Sequence, residues 1–424
     1  MQRPSLQIPS SLRHRKFALL WGSLLISFAG SQMQMWSLLW HVRELTDQPV
    51  VVSGIGLARF IPILAFALFG GLLADLFDRR KIMFVTQFVM MAVAFALAAL
   101  TRSGVIQIWH IYALTAIQAA AAAFDVPARQ SIIPNLVPKE DLPNAFSMSS
   151  IAVNLGAIIG PGLSGLVISI MGLYAVYWIN AVTFIAVLAA VVVMGHVNQE
   201  SAALPGKSRR QAFSLGSIRE GIQFIIDQPI ILSTMLLDFF ATFFSSANTL
   251  LPFVARDILH VDAIGYGWLS AAQSVGAMSV GLVISQLRVV HNQGRLLLSS
   301  VVIFGAATIL FGISRHFWLT MAALVLVGAG DAVSTIIRNT IRQIQTPDRL
   351  RGRTISVNQI FFLGGPQLGE IEAGLVAQAF GTPVAIITGG VGCILAVIGI
   401  AQRWPQLRNF QGDEPAPVPS PKAA

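Results

Sequence analysis

Five ionisable side chains stand inside long apolar runs of this chain: Arg59, Asp238, Asp331, Glu370 and Glu372. A sixth, Asp125, sits nearer the edge of another run. A charge placed in hydrocarbon costs about 2.5–3.5 kcal/mol on insertion scales, so each is a candidate for function. An acid desolvated in such a place can hold and release a proton near neutral pH. A base beside an acid can form an ion pair that opens and closes. Each acid can equally be a hydrogen-bonded structural group, and the residues alone leave both readings open.

These side chains need elements to hold them. Of 424 residues, 11% are charged and 55% hydrophobic, whereas a soluble domain carries about 25% charged residues. Apolar runs lie at about 17–41, 51–75, 82–101, 106–126, 146–170 and 174–195. A second set lies at about 229–255, 265–287, 295–314, 317–337, 355–379 and 383–402. Each is near the length of about 20 residues that crosses a bilayer. Backbone polar groups in lipid must pair within their own segment, so the runs are expected to be helices. The net charge of +9 does not point to nucleic acid, because the basic residues cluster between the apolar runs. One cysteine, Cys393, excludes an intrachain disulfide framework and a cysteine-only metal site.

With the N-terminus placed in the cytoplasm, 23 of the 28 basic residues fall on the cytoplasmic side. Four (Arg43, Arg102, Arg256, Arg315) fall outside, and Arg59 lies within a run. That bias follows the positive-inside rule and puts both termini in the cytoplasm. The expected domains are a cytoplasmic N-terminus (1–16), a six-helix half (17–195), a cytoplasmic linker with an amphipathic helix (196–228), a second half (229–402) and a disordered proline-rich tail (403–424).

A shift of 209 residues superimposes Arg129 on Arg338, Pro138 on Pro347, Gly156 on Gly365, Gly160 on Gly369 and Gly165 on Gly374. The chain therefore reads as two parallel copies of a six-helix unit. Parallel repeats suit a rocking transporter. Span 5 holds "GAIIGPGLSG" (156–165). Gly156 and Gly160 share a helix face, extended by Gly165, and small residues let two helix backbones touch. Pro161 removes a donor and bends the helix. The expected partner of this face is span 8. Between spans 2 and 3, "GLLADLFDRRK" (71–81) packs five charges into seven residues.

Twelve spans, parallel halves and these motifs resemble the major facilitator superfamily. "GLLADLFDRRK" is similar to its signature loop after helix 2, and "GAIIGPGLSG" to the helix 5 motif of its antiporters. "FDVPARQSIIPNLVP" (124–138) and "TPDRLRGR" (346–353) resemble its drug- and siderophore-exporting branch. Leu76 and Asp78 depart from the usual loop. The embedded arginine that other drug antiporters carry on helix 4 is missing, with Gln118 in that stretch.

The resemblance implies an all-α membrane protein of the major facilitator fold that exports amphiphilic small molecules in exchange for protons. Gly71, Asp75, Arg79 and Arg80 would form a cytoplasmic gate motif, with Asp75 facing the start of helix 11. Arg59 and Glu372 would pair on the outside, Glu372 sharing the Gly365–Gly369 face expected to meet helix 2. Asp238, Asp331 and Glu370 would couple protons. Gln32, Gln34, Trp36, Gln118, Phe240, Phe244 and Asn248 would line the cargo cavity. The expected partners are a small-molecule substrate and the lipid of a plasma membrane, with the protein a monomer. No metal and no cofactor are expected, the ion gradient supplying the energy. The absence of a G-x-x-x-x-G-K-[ST] loop disfavours an ATP-driven pump, and no H-E-x-x-H or G-x-S-x-G pattern points to an enzyme. An importer or facilitator on the same fold is the alternative within transport, and a non-transporting sensor is another class.

Overall fold

The computed structural model describes residues 9–197, 222–286 and 291–412. Its long helices are α1 (Arg15–Leu45), α2 (Pro49–Leu76), α3 (Arg79–Arg102), α4 (Ile108–Ile132), α5 (Leu142–Met171) and α6 (Leu173–Val193). They continue as α7 (Pro229–Ser245), α8 (Ala263–Ser285), α9 (Gln293–Ile313), α10 (Phe317–Gln345), α11 (Asp348–Phe380) and α12 (Thr382–Arg403). Among the described residues ten helices are long and apolar enough to cross a membrane. Large apolar side chains such as Ile170 and Trp318 remain exposed on their surfaces, as a lipid solvent allows.

The chain divides into two compact units. One holds α1–α6 with residues 260–271; the other holds residues 222–259 and 272–412. This corrects the expected division at one place, because the first part of α8 groups with the first half. The reason is close packing. A Cβ at Gly267 would lie 2.8 Å from the Pro161 carbonyl oxygen, and Gly165 abuts the Ala263 backbone.

In the first unit α1 packs on α5 and α6, α2 on α4, and α3 on α4 and α6. The α1–α5 seam is made by the glycines of the helix 5 motif. A Cβ at Gly156 would meet Phe28 Cβ at 2.8 Å, and one at Gly160 would meet the Ala29 carbonyl oxygen at 2.6 Å. The expectation that Gly156 and Gly160 face α8 is therefore corrected: their partner is α1, and Gly165 alone of the three meets α8. Pro161 sits buried in this helix. Phe17, Leu20, Met83, Ile132 and Val187 close the core at one end.

In the second unit α9 packs on α10 and α12, and α7 on α11 and α12. The repeat reappears in three dimensions. Gly365 and Gly369 of α11 lie against α7 at Phe239 and Phe243, as Gly156 and Gly160 lie against α1. The glycine face of α11 is thus occupied by a helix of its own half, which corrects the expectation that it meets α2.

Helix α7 does not run unbroken over the apolar stretch 229–255. It stops at Ser245, and Ser246 and Ala247 leave helical geometry. A 3-10 turn (Asn248–Leu250), a short helix (Leu251–Phe253) and a π turn (Val254–Ile258) follow. The tail is corrected as well. Pro405–Asn409 is helical, Leu407 and Phe410 are buried, and Gly294 N–H donates to the Phe410 carbonyl at 3.0 Å. The two side chains are apolar enough to seat against α9. The linker over 198–221, with its expected amphipathic helix, and the tail from 413 lie outside the described residues.

A buried charge cluster and a polar cavity

Asp238 projects from α7 and is 1% exposed. Arg338 and Arg342, four residues apart on α10, reach it from one helix face. Arg338 Nη2 lies 3.0 Å from Asp238 Oδ1, and Arg342 Nη1 lies 3.8 Å from Oδ2. These are ion pairs without well-aligned hydrogen bonds to the carboxylate. Both arginines are anchored elsewhere. Arg338 donates to Thr335 Oγ1 at 2.9 Å, while Arg342 donates to the Arg338 carbonyl at 3.1 Å, to Asn339 Oδ1 at 3.0 Å and to Asn358 of α11.

Asp331 stands two turns before Arg338 on α10, with Oδ1 3.7 Å from Arg338 Nη2. Two acids and two bases balance in number, but not in geometry. Asp238 takes both arginines at 1% side-chain exposure. Asp331 has one long ion-pair contact, lies beside the Thr335 hydroxyl, and has a side chain 47% accessible. It opens onto a cavity of about 280 Å³ lined by Thr242, Ser245, Ser246, Asn248, Gln273 and Phe304 among others. The break in α7 supplies Ser246 and Asn248 to that wall. Irregular backbone at membrane depth is tolerated where it lines such a cavity. Gln273 Nε2 donates to Asn248 Oδ1 at 3.0 Å.

The first unit carries a neutral counterpart. Asn180 Nδ2 donates to Gln34 Oε1 at 2.7 Å, and Gln34 Nε2 donates to Gln118 Oε1 at 2.5 Å. This ties α6, α1 and α4 through amides. Near the end of α4, Asp125 is buried and accepts from Thr86 Oγ1 and Gln87 Nε2, each at 3.0 Å, with Arg129 at 3.8 Å. The Arg129 guanidinium lies over the Phe28 ring at 4.5 Å.

The expected site residues divide as follows. Asp238 and Asp331 come together. Glu370, on α11, is buried and has an interaction of its own. Arg59, half-buried with an interaction of its own, belongs to the first unit, and half-buried Glu372 to the second. Arg79 donates to the Ser131 carbonyl at 2.8 Å and to Asn135 Oδ1 at 2.9 Å; Arg80 donates to the Val191 carbonyl at 2.7 Å. The two bases of the charged loop thus brace α3 against the ends of α4 and α6, and Asp78 caps α3 through the Arg80 N–H. Gly71 lies within α2, and its surroundings and the side chain of Asp75 are not among what the structure describes.

Of the cavity candidates, Asn248 lines the cavity just described. Gln34 is 1% exposed inside its amide chain with Gln118. Trp36 is buried, its ring edge-on to Tyr266, whose hydroxyl donates to the Trp36 carbonyl at 2.9 Å. Gln32 packs its Cβ at Gly160, and the Phe244 ring packs at Gly392 of α12. Phe240 is exposed.

Sequence reasoning missed Arg338, Arg342, Ser245 and Gln273. Arg338 follows the apolar run ending at 337 by one residue, which assigned it to a loop. The spacing of seven from Asp331 was the available signal, since it places both on one face.

A bundle of apolar helices in two repeated units, with ionised groups sealed inside, is the build of a multi-pass membrane transporter. The solved structure of a bacterial homologue of the human lysosomal transporter Spinster, inward-facing and occupied, shares the fold. It has a TM-score of 0.71 and 14% identity, over 95% of this chain and 99% of that one. The chain matches the transmembrane secretion effector family over residues 8–423, and it belongs to that family, within the major facilitator superfamily. Among curated relatives, the multidrug efflux pump Tap of Mycolicibacterium fortuitum is 24% identical over 390 residues, covering 90% of this chain and 94% of its own. The enterobactin exporter EntS of Citrobacter koseri is 28% identical over 372 residues, covering 87% and 85%. The protein is a transporter and not an enzyme, as its family and relatives are.

Proposed function

We propose that this protein is a proton-coupled antiporter that exports amphiphilic small molecules across the plasma membrane by alternating access. The observation that carries the reading is the unequal charge cluster: a sealed Asp238 holding two arginines beside an Asp331 open to a polar cavity. Protonating Asp331 removes its pull on Arg338 and leaves the Asp238 pairs intact, so one proton changes the cavity's charge without exposing a buried ion. That is the property a coupling site needs. The relatives named as exporters of drugs and of a siderophore support the direction and cargo class.

The topology is part of the proposal. Helices α1, 31 residues, and α11, 33 residues, are long enough to span about 30 Å and complete twelve crossings. The bias of basic residues toward one side persists when Arg338 and Arg342 are removed from it, and it places both termini in the cytoplasm. The protein works as a monomer without cofactor. Glu370, buried on α11, is the second proton-coupling candidate.

The test is uptake by inside-out vesicles of a panel of cationic dyes, macrolides and catecholate siderophores supplied in the outer medium under an imposed pH gradient. Accumulation of at least one compound, lost when an ionophore collapses the gradient, is expected. Movement that ignores the gradient would make the protein a facilitator.

A further inference from the structure

The mechanism proposed above uses Asp331 as a proton carrier and leaves unexplained the cavity in front of it. At about 280 Å³ it falls just below the range of about 300–1,000 Å³ typical of small-molecule sites. It therefore suits part of a cargo rather than the whole. Its chemistry is one-sided. Among the described residues that line it, Asp331 is the one charged group, and the other polar members are hydroxyls and amides. Gln273 uses an N–H on Asn248 and keeps its carbonyl oxygen as a further acceptor. Ser245 is 7% exposed and lines the cavity, its hydroxyl beside the Cys393 thiol and with lone pairs left to accept.

The positive members of the cluster do not compete for this role. Arg338 is 1% exposed and engaged by Asp238 and Thr335; Arg342 is engaged by Asp238, Asn339 and Asn358. The negative charge is open and the positive charges are sealed. An anion entering the cavity meets an uncovered carboxylate, whereas a cation meets a carboxylate whose nearest counter-charge is 3.7 Å away and already shared.

We propose that the cavity bounded by α7, α8 and α10 is a cation subsite. It takes the ammonium group of a cargo against Asp331, with Ser245 and Gln273 accepting its remaining N–H groups and Phe304 forming an apolar wall. The subsite rests on the transporter reading above and adds that the cargo carries a protonated amine.

Three matched probes test it: benzylammonium, benzyl alcohol and benzoate, with binding to the full-length protein in lipid nanodiscs read by ligand-observed NMR. The wild-type protein is expected to bind benzylammonium about tenfold or more tightly than either other probe. Asp331→Asn is expected to erase the preference. Ala277→Phe, which fills the cavity without touching the charge cluster, is expected to remove binding of all three. Benzoate binding as tightly as benzylammonium to the wild type would overturn the proposal, and that measurement needs no variant to fold. Benzylammonium binding that persists in Ala277→Phe would also overturn it by putting the site elsewhere. The vesicle assay separates this proposal from the one before it. Charge-selective binding without gradient-driven transport would sink the antiporter reading and keep the subsite. Gradient-driven transport with no charge preference in binding would do the reverse.

Discussion

The two halves share a framework and differ in what they put inside it. Gly156 and Gly160 bring α5 onto α1, and Gly365 and Gly369 bring α11 onto α7, at the same repeat positions. Arg129 and Arg338 also occupy equivalent positions. In the first half Arg129 lies over the Phe28 ring, and its acid, Asp125, is satisfied by neutral donors. In the second half Arg338 faces the carboxylate of Asp238, which at the same repeat offset stands where the first half has Ala29. Backbone contact tolerates no side chain and is kept in both copies. A charged side chain is kept only where a partner exists, so the polar interiors have diverged. One half became a neutral brace, and the other an ionic cluster beside a cavity.

The contrast is broken most strongly at Asp238. Asp238→Ala leaves two buried arginines with only the long Asp331 contact to Arg338 as counter-charge, and removing one partner of a buried pair costs about 3–5 kcal/mol. Fluorescence-detected size exclusion of the detergent-solubilised variant is expected to show aggregation or loss of the folded peak. A variant as stable as wild type would mean that water or lipid already compensates the arginines.

Next come the glycine seams. Gly160→Leu and Gly369→Leu each insert a side chain where a backbone stands, and overpacking of this kind costs about 1–3 kcal/mol or more. Similar losses of thermal stability in the two variants are expected. A large loss in one alone would show that the halves are not equivalent even in their framework.

Arg129→Met is expected to cost about 1 kcal/mol, because Asp125 keeps its bonds from Thr86 and Gln87 and the methionine still covers Phe28. Arg338→Met should cost several times that. Equal costs, measured by thermal unfolding, would erase the distinction between a neutral brace and an ionic cluster.

The smallest stability effect is expected at Asp331. Asp331→Asn removes one 3.7 Å contact from a half-open carboxylate, and partly exposed pairs contribute about 0–1 kcal/mol. The folded peak should be unchanged while gradient-driven transport is lost. Retained transport at the wild-type rate would remove Asp331 from the coupling scheme.

The family, the helices and the repeat were legible in the sequence, because hydropathy, charge bias and glycine spacing are local or periodic. Lipid forces every apolar run into a helix, and a constant offset between glycines survives whatever the side chains around them do. Asp238 and Asp331 were legible too, since any charge inside an apolar run is conspicuous. What they touch was not. Arg338 lay one residue past the apparent end of a run, and nothing in the sequence of α7 said that its carboxylate at 238 would meet α10. Nor did the apolar stretch 229–255 announce its break at Ser246, because the residues there are as compatible with a continuous helix as with a broken one. The partner of the glycine face was also decided only in three dimensions. The sequence shows that a face is smooth enough to be touched, and which helix touches it depends on how all of them pack at once. Composition and period determined that this chain is a bundle of membrane helices in two copies. Tertiary structure decided which charges are sealed and which one is left open, because exposure belongs to the assembled neighbours and not to any residue.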